Sequence, residues 1–212
     1  MGRRYNLHMH DPKLHAPATL RNREAILDVL QRVLPPDGLV LELNSGTGEH
    51  AAFLAPRLAP RQWQPSDLDE DARASIAAHA EDTGASNLLP PVEIDVTWDK
   101  WPVQQATAVI SANMIHIAPW EACLGLLDGA ARILTPGKGI LYLYGPFKRD
   151  QAHTAPSNEA FDQSLRTRDA RWGVRDLEDV SAEAKKRGLE LAEIAEMPSN
   201  NLSVIFRRST AA

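Results

Sequence analysis

The chain contains 212 residues, of which 43% are hydrophobic, and its formal net charge at pH 7 is -5. This length suits one globular domain with a sizeable core, and the acidic balance weighs against proteins that bind nucleic-acid backbones through a basic face. Cys123 is the only cysteine, which excludes an internal disulfide. Because no signal peptide and no membrane-length apolar run is recognisable, the sequence predicts a cytoplasmic protein that binds neither membranes nor nucleic acids.

Residues 1–18 are polar and contain Pro12 and Pro17, so we expect an N-terminal arm without a core of its own. His8 and His10 in this arm are metal-ligand types, but no cysteine or acidic cluster accompanies them, and we predict no metal site. Residues 19–212 are expected to form a single domain. The sequence predicts no oligomeric state.

From Thr19, apolar residues recur at helical spacing until Pro35, which predicts an amphipathic helix. Short apolar runs then alternate with helical segments, and this alternation predicts a mostly parallel sheet covered by helices on both faces. Ligands of such sheets bind beyond the carboxyl ends of the strands. The predicted strands of this part are LVLEL (39–43), RQWQPSD (61–67), PVEIDV (91–96), ATAVIS (106–111) and ILYLY (140–144).

The last third departs from simple alternation. GPFKRDQAHTAPSN (145–158) is typical of a loop, and two helices are predicted at 158–169 and 176–188. Two strands, LELAEIAE (189–196) and LSVIFRR (202–208), are separated only by MPSNN. Such a short connection predicts an antiparallel pair, because a parallel crossover needs a dozen or more residues.

The stretch LELNSGTGEH, residues 41–50, predicts a glycine turn after the first strand. Gly46 and Gly48 permit a ligand to approach the backbone closely, and the match of Gly46 to Ala51 to the dinucleotide pattern is weak by itself. Glu42 before the turn and Glu49 after it would repel a diphosphate and attract an ammonium group. These residues therefore favour a nucleoside with an amino-acid head and no phosphate, which is S-adenosyl-L-methionine.

Three acidic positions follow the predicted second and third strands. Asp67 lies roughly 20 residues beyond the turn, where an acid accepts both ribose hydroxyls in analogous folds. Asp69 competes for that role, but it also explains itself as a helix cap. Asp95 and the backbone of Val96 are candidates for the adenine, with an ordinary strand-end turn as the alternative for Asp95.

Nine motifs carry a family resemblance from about Thr19 to Arg208: RNREAIL, NSGTGEH, WQPSDLD, DVTW, NMIHI, YGPF, SNEAFD, RWGVRD and MPSNN. Together with Asp67, Asp95 and the closing hairpin, they resemble class I S-adenosylmethionine-dependent methyltransferases, and more narrowly the methyltransferase-like family called domain of unknown function 938. The resemblance implies a three-layer Rossmann-like α/β fold with a mostly parallel seven-stranded sheet and an antiparallel last strand. Asn44 departs from the glycine common in class I methyltransferases, although asparagine also tolerates left-handed backbone angles.

The methyl acceptor is expected over the ends of the predicted fourth and fifth strands. His116 has the chemistry to take a proton from an amine, thiol or hydroxyl, so it is the candidate catalytic residue. A histidine that only holds the loop by hydrogen bonds is the alternative. Since transfer of a methyl group from a sulfonium relies largely on positioning, a dedicated base is optional.

The remaining site predictions form two groups. On the cofactor side, beside Glu42, Asp67, Asp95 and Val96, they are Arg21, Asn22, Asn44, Ser45, Gly46, Gly48, Leu68, Asn113 and Met114. On the acceptor side they are Tyr144, Phe147, Asn158, Phe161, Asp162, Arg166, Trp172, Arg175, Asn200 and Asn201. The mixture of aromatic and charged types favours a small polar acceptor, and structural caps are the alternative for several members.

Two other functions compete with a small-molecule methyltransferase. A nicotinamide-dependent oxidoreductase would bind phosphate at Gly46 to Ala51, and Glu42 weighs against it. A non-catalytic domain that binds the cofactor or a protein partner is also open, because a fold does not guarantee an activity.

Overall fold

The computed structural model describes residues 11–210 of the chain. Six helices surround a six-stranded sheet and a small two-stranded hairpin. The helices are α1 (Pro17–Val33), α2 (Glu49–Arg57), α3 (Glu70–Thr83), α4 (Trp120–Ile133), α5 (Pro156–Arg168) and α6 (Leu177–Lys186). The strands are β1 (Leu39–Leu43), β2 (Gln62–Pro65), β3 (Ala108–Ala112), β4 (Ile140–Gly145), β5 (Lys148–Arg149), β6 (Ala152–His153), β7 (Leu189–Met197) and β8 (Asn201–Arg208).

The main sheet has the order β2-β1-β3-β4-β8-β7. β1 pairs in parallel with both β2 and β3, and β3 pairs in parallel with β4. β8 then runs antiparallel between β4 and β7. The predicted parallel sheet with a closing antiparallel hairpin is therefore confirmed.

The core lies on both faces of the sheet, because successive residues of a strand point to opposite sides. Leu41, Val109 and Leu143 belong to one hydrophobic cluster, which includes the buried side chains of α4 and α6. Val40 and Ile110 belong to a second cluster, with the buried side chains of α1 and α2. This division gives the three layers that the resemblance implied.

The expectation of seven strands is wrong, because the segment 91–96 does not form a regular strand. The chain from Leu88 onward runs beside β2 and makes only isolated parallel bridges there, at Trp63–Leu88 and at Ser66–Val92. Pro65, Pro90 and Pro91 stand between these bridges and have no backbone N–H to donate, so a continuous ladder cannot form there. The side-chain amide of Gln64 donates instead to the Pro90 carbonyl at 2.6 Å.

Two element boundaries also differ from the predicted ones. The segment 145–158, expected to be a loop, contains the hairpin of β5 and β6. α1 begins at Pro17, inside the expected arm, which suits a proline because the first turn of a helix has no use for its missing N–H. Residues 13–16 contact α2 and α3, whereas His8 and His10 lie outside the described residues. The division at residue 18 stays a prediction.

In the part of the chain from residue 11 to residue 210, no helix combines the length and the apolar character that crossing a membrane requires.

Candidate functional site

The site lies at the carboxyl ends of β1 and β3, where the chain direction around the sheet changes. The chain leaves β1 toward α2 on one face and leaves β3 toward α4 on the other. A crevice opens where the connections from two adjacent strands leave toward opposite faces of the sheet, and it is the usual ligand site of open α/β sheets.

The turn after β1 combines two differently used glycines. Gly48 has φ +86°, and a Cβ there would lie 2.6 Å from the Cα of Ile76, so this glycine allows α3 to pack against the turn. Gly46 has φ +56°, and a Cβ there would meet nothing within 4 Å. Its outer face is therefore open to a ligand. Asn44 has φ 56°, which confirms the left-handed conformation predicted for it.

Asp67 joins the turn to the end of β2. Its Oδ2 accepts a hydrogen bond from the Gly46 N–H at 2.9 Å, and its Oδ1 accepts one from the Asp69 N–H at 3.0 Å. Ionised carboxylate oxygens have further lone pairs, so these bonds leave capacity for hydroxyl donors. Asp69 caps α3 by accepting from the Ala72 N–H at 2.8 Å, which confirms its predicted cap role.

Glu42 is buried at the end of β1. The indole N–H of Trp63 donates to its Oε2 at 2.8 Å. Burial raises the pKa of the Glu42 carboxyl to about 7, although the hydrogen bonds from Trp63 and Ser45 oppose this shift. The carboxyl is therefore poised between its neutral and charged forms near neutral pH, and a nearby cation would favour the charged form.

Glu49, in contrast, turns toward the N-terminal segment. It accepts from the Ala16 N–H at 2.7 Å, and its other oxygen lies 3.1 Å from Nδ1 of His15. Ser45 fastens the turn to β2, since its hydroxyl accepts from the Ser66 N–H at 3.2 Å. The two glutamates that flank the turn thus have different partners: Glu42 binds Trp63 within the sheet, and Glu49 binds the N-terminal segment.

The predicted adenine side contains Asp95, Val96 and Leu68. Asp95 accepts from the N–H and the hydroxyl of Thr97, at 2.8 and 2.7 Å through Oδ1. This is the strand-end turn named as its alternative. Val96 is half-buried, and Leu68 is 52% exposed. Trp98, to which the sequence analysis gave no role, is also exposed on this segment.

A chain of polar side chains links α2, α1 and β4. Nε2 of His50 lies 2.8 Å from Oδ1 of Asn22, and Asn22 is also hydrogen-bonded to the buried Tyr144. Burial lowers the pKa of His50 to about 4, so its imidazole is neutral and donates to the amide oxygen. Arg21 is exposed, and its charge acts on Tyr144.

Asn113 and Met114 follow β3 at the crevice. Asn113 has φ 62°, and its N–H donates to the Tyr144 carbonyl at 2.7 Å. Met114 is buried and begins a short 3-10 helix, Met114–His116.

His116 is completely buried. Its Nδ1 accepts from the Arg175 N–H at 3.2 Å, and its ring meets Phe147 edge to face at 4.9 Å between centroids. Burial, followed by the charge of Arg175, lowers the pKa of His116 to about 3. Its Nε2 has no hydrogen-bond partner among residues 11–210. The catalytic role of His116 stays a prediction, and this environment weighs toward the loop-holding alternative.

Asp162 is the centre of a charged cluster on the acceptor side. Its carboxylate lies within 3.4 Å of Lys148 and His153 and 3.2 Å from Arg166, and it accepts from the Val174 N–H at 2.7 Å. Burial opposes ionisation, but the Val174 N–H and the basic neighbours hold the pKa of Asp162 below its usual value.

Asn158 and the final hairpin are brought together. Its amide donates to the Asn200 carbonyl at 2.9 Å, while Asn201 bonds within its own turn to Pro198. Phe161 does not share the buried side of α5 with Asn158 and Asp162, because its side chain is 37% exposed. Phe161 was predicted on the acceptor side, and its exposure means that it does not enclose an acceptor there.

Arg175 clamps the loop after His116. Its guanidinium donates to the carbonyls of Ile115 and Ala118, at 2.8 and 2.5 Å, and lies 5.6 Å from the ring centroid of Trp120. Trp172 is covered by Arg168 at 5.1 Å. A cavity of about 540 Å³ opens beside this clamp. It is lined by Trp120, Lys148, Gln151, Arg166, Val174, Arg175, Asp176, Asp179, Ala182, Glu183 and Lys186.

No sequence pattern indicated a role for Trp63, His50, Lys148 or His153. Trp63 is one residue in a strand pattern, and its bond to Glu42 depends on the register of β1 and β2. Val40 pairs with Trp63 and Glu42 with Pro65, so Trp63 and Glu42 lie on the same face of the sheet, but no local pattern in the sequence specifies this register. Lys148 and His153 lie in the segment 145–158, which was predicted to be a loop, so the hairpin that positions them was not predicted.

The comparisons with known proteins agree with this architecture. The family described as "Protein of unknown function (DUF938)" matches residues 13–208, which confirms the family resemblance found in the motifs. Among solved structures, an O-methyltransferase family 2 protein from Planctomyces limnophilus, in complex with apigenin, is 16% identical with a TM-score of 0.79. The match covers 90% of this chain and 57% of that one.

Two further structures are similar. Human N-acetylserotonin methyltransferase in complex with SAM is 15% identical, with a TM-score of 0.74 and coverage of 91% of this chain and 53% of that one. A putative sarcosine dimethylglycine methyltransferase from Galdieria sulphuraria is 15% identical, with a TM-score of 0.72 and coverage of 94% and 93%. At these identities the likeness shows a Rossmann-like methyltransferase fold, and the chain spans little more than half of the first and second of these relatives.

Proposed function

The chain belongs to the family described as "Protein of unknown function (DUF938)", and from that premise we propose that it is an S-adenosyl-L-methionine-dependent methyltransferase of a small polar acceptor. The observation that supports this most is the open turn at Gly46, held by Asp67 and adjacent to the buried Glu42. The carboxyl group of Glu42 before the turn opposes a diphosphate and suits a cationic nucleoside.

The residues at the crevice fit the cofactor. Gly46 leaves its outer side free, so a ligand can approach the backbone without meeting a Cβ. Asp67 retains lone pairs for ribose hydroxyls, and the poised carboxyl of Glu42 gains a partner when an ammonium group comes near. Leu68, Asp95 and Val96 would contact the adenine, and Ser45 and Asn44 keep the turn in place.

On the other side of the crevice, Arg21 and Asn22 would hold the carboxylate of the methionine part, with Asn113 and Met114 lining the same end. Bound S-adenosyl-L-methionine supplies an electrophilic methyl group on a sulfonium. The task of the protein is then to hold the acceptor in line with that group and to exclude water. With the pKa of His116 lowered to about 3, this residue contributes positioning more readily than proton removal.

A small polar acceptor is favoured by the residues after β4. The residues predicted there mix aromatic and charged groups: they are Tyr144, Phe147, Trp172 and Arg175, the α5 residues Asn158, Asp162 and Arg166, and the hairpin residues Asn200 and Asn201. Solved relatives of the fold include an enzyme named for N-acetylserotonin and one in complex with apigenin, which are small molecules.

A non-catalytic cofactor-binding protein is the second candidate, and one observation favours it. Many polar groups on the acceptor side already bind one another, as Asp162 does with Lys148, His153 and Arg166. An oxidoreductase is less well supported, because the buried carboxyl of Glu42 lies beside the position of a diphosphate.

The test compares Asp67→Ala with Asp69→Ala in the full chain. Binding of S-adenosyl-L-methionine and of its demethylated product is measured by calorimetry and by the shift in thermal unfolding. Asp67→Ala should weaken the affinity about tenfold or more, because it removes the ribose partner and the bond to Gly46. Asp69→Ala should cost about 1 kcal/mol of stability through the lost cap and leave the affinity unchanged.

An equal affinity of the two variants would remove Asp67 from the proposed site. An absence of any heat or thermal shift with the parent protein would contradict the proposal itself. Cofactor binding without methyl transfer to any mass in a metabolite extract would favour the non-catalytic candidate.

A further inference from the structure

The N-terminal segment 13–16 is fastened beside the glycine turn by several contacts. The Leu14 N–H donates to the Ser75 hydroxyl at 2.8 Å, and that hydroxyl donates to the Thr47 carbonyl at 2.7 Å. The Ala16 N–H donates to Glu49 at 2.7 Å. Segment 13–16, the turn and α3 therefore form one connected region outside the crevice.

Three metal-ligand side chains meet in this region, one from each element. His15 comes from the N-terminal segment, Glu49 from the first residue of α2 and His79 from α3. One ligand atom of each lies within 4.8 Å of the other two. Nδ1 of His15 is 3.1 Å from Oε1 of Glu49, and Nε2 of His79 is 3.0 Å from the Leu14 carbonyl, which orients its ring.

The distances suit a small divalent ion. Tetrahedral zinc with ligands at 2.0–2.1 Å separates those ligands by roughly 3.3 Å from one another, so the cluster needs only small side-chain adjustments. The rings of His15 and His79 meet edge to face with centroids 5.4 Å apart.

We propose that His15, Glu49 and His79 bind a divalent transition-metal ion of the zinc type. Two imidazoles and one carboxylate form a donor set that such ions accept, with water completing the coordination. The side chain of His15 is 68% exposed, so an ion can reach it from solvent, and that of Glu49 is 12% exposed, so the ion would also bind a largely buried carboxylate. The ion fastens the segment 13–16 to α2 and α3.

This inference does not depend on the proposed function. The three ligands are far apart in sequence, so no spacing motif announces them, and the sequence prediction of no metal site considered only His8 and His10. The glycine turn lies next to Glu49, but nothing in the proposal requires the cofactor.

The test uses the full chain without an affinity tag, titrated with zinc chloride by calorimetry and followed by thermal unfolding. The parent should bind one zinc per chain, and zinc should raise its unfolding temperature, because an ion that binds only the folded state stabilises it. His15→Ala and His79→Gln should each weaken binding by at least about tenfold, since even outer-shell partners of a metal contribute that much. His79→Gln retains a polar side chain of similar length, so it separates ligand loss from misfolding.

The matched control is the double substitution His8→Ala and His10→Ala, which removes the other two N-terminal histidines. Retained binding in this control, together with loss in His15→Ala and His79→Gln, would support the site. Loss of binding in the control would assign the ion to the arm and overturn the proposal. Unchanged binding in His79→Gln, or no binding by the parent at about 100 µM zinc, would also overturn it.

Discussion

The two halves of the crevice differ in how their polar groups are used. Beyond β1 and β2, the backbone is open at Gly46, and Asp67 and Glu42 are held by a few N–H donors. Beyond β3 and β4, the acidic and basic groups mostly bind each other or backbone carbonyls, as Asp162 and Arg175 do. The first half therefore has backbone and carboxylate groups that can bind a ligand, while the polar groups of the second half mainly stabilise its own loops.

This difference fits the proposed function, in which the first half would bind the cofactor and the second half the acceptor. A turn fixed by backbone bonds has little freedom, so it suits a ligand with fixed chemistry. Loops held together by side-chain pairs can change their residues without disturbing the turn. Three experiments test this comparison.

The largest effect is expected from Asp162→Ala. This change leaves Lys148, His153 and Arg166 close together without their shared carboxylate, and it removes the acceptor of the Val174 N–H. We expect a loss of about 3 kcal/mol in the free energy of unfolding by urea, because the Val174 N–H loses its acceptor and the partly exposed basic neighbours lose their counter-charge.

Asp169→Ala is its control, since Asp169 pairs with the exposed Arg171 near the end of the same helix. Its urea midpoint should match that of the parent. A small loss in Asp162→Ala would mean that the acceptor half does not depend on its charged cluster, and its side chains would then be free for a ligand.

A pH-dependent effect of intermediate size is expected from Glu42→Gln. The folded protein holds the Glu42 proton with a pKa of about 7, above the usual 4.5, so this group favours folding at low pH and its contribution is lost as pH rises from 4.5 to 7. Above pH 7, Glu42→Gln should therefore be more stable than the parent by roughly 2 to 3 kcal/mol. The difference should vanish near pH 4.

The difference curve is the right measurement because His50 and His116 act in the opposite direction. Their pKa values are lowered to about 4 and about 3, so both weaken the fold as pH falls below 6.5, equally in parent and variant. Cofactor affinity of the parent should also fall as pH drops through 7, and Glu42→Gln should lack this change. A pH-independent stability difference would contradict the buried, poised carboxyl.

The smallest effect is expected in an NMR titration of His116. With a pKa near 3, its ring signals should not move between pH 5 and pH 8. The assignment can be made by comparison with His116→Ala. An inflection in this range would mean that His116 can accept a proton near neutral pH. The half of the crevice beyond β3 and β4 would then also offer a group suited to catalysis.

The sequence predicted the elements that depend on local patterns. The glycine turn, the left-handed Asn44, the cap at Asp69 and the antiparallel closing hairpin are all present, because each is specified by residues close together in the chain. The predicted number of strands was wrong, since the apolar run 91–96 lies beside β2 but, because of the prolines, lacks the continuous hydrogen bonds of a strand.

Contacts between distant segments could not be predicted from the sequence. The bond of Trp63 to Glu42 requires the register of two strands, and the meeting of His15, Glu49 and His79 requires three elements to pack together. The burial of His116 under Phe147 was equally invisible, because a histidine after a strand has the same local pattern whether it faces solvent or the core.

The prolines that interrupt the segment beside β2 also affect encounters between molecules. A strand at the border of a sheet offers unpaired N–H and C=O groups to any other chain, which is a route to aggregation. At one border, Pro65, Pro90 and Pro91 have no backbone N–H to donate. At the opposite border, β7 has an irregular register between Leu191 and Glu193 and carries Glu190 and Glu196, so both borders discourage self-association through strand addition.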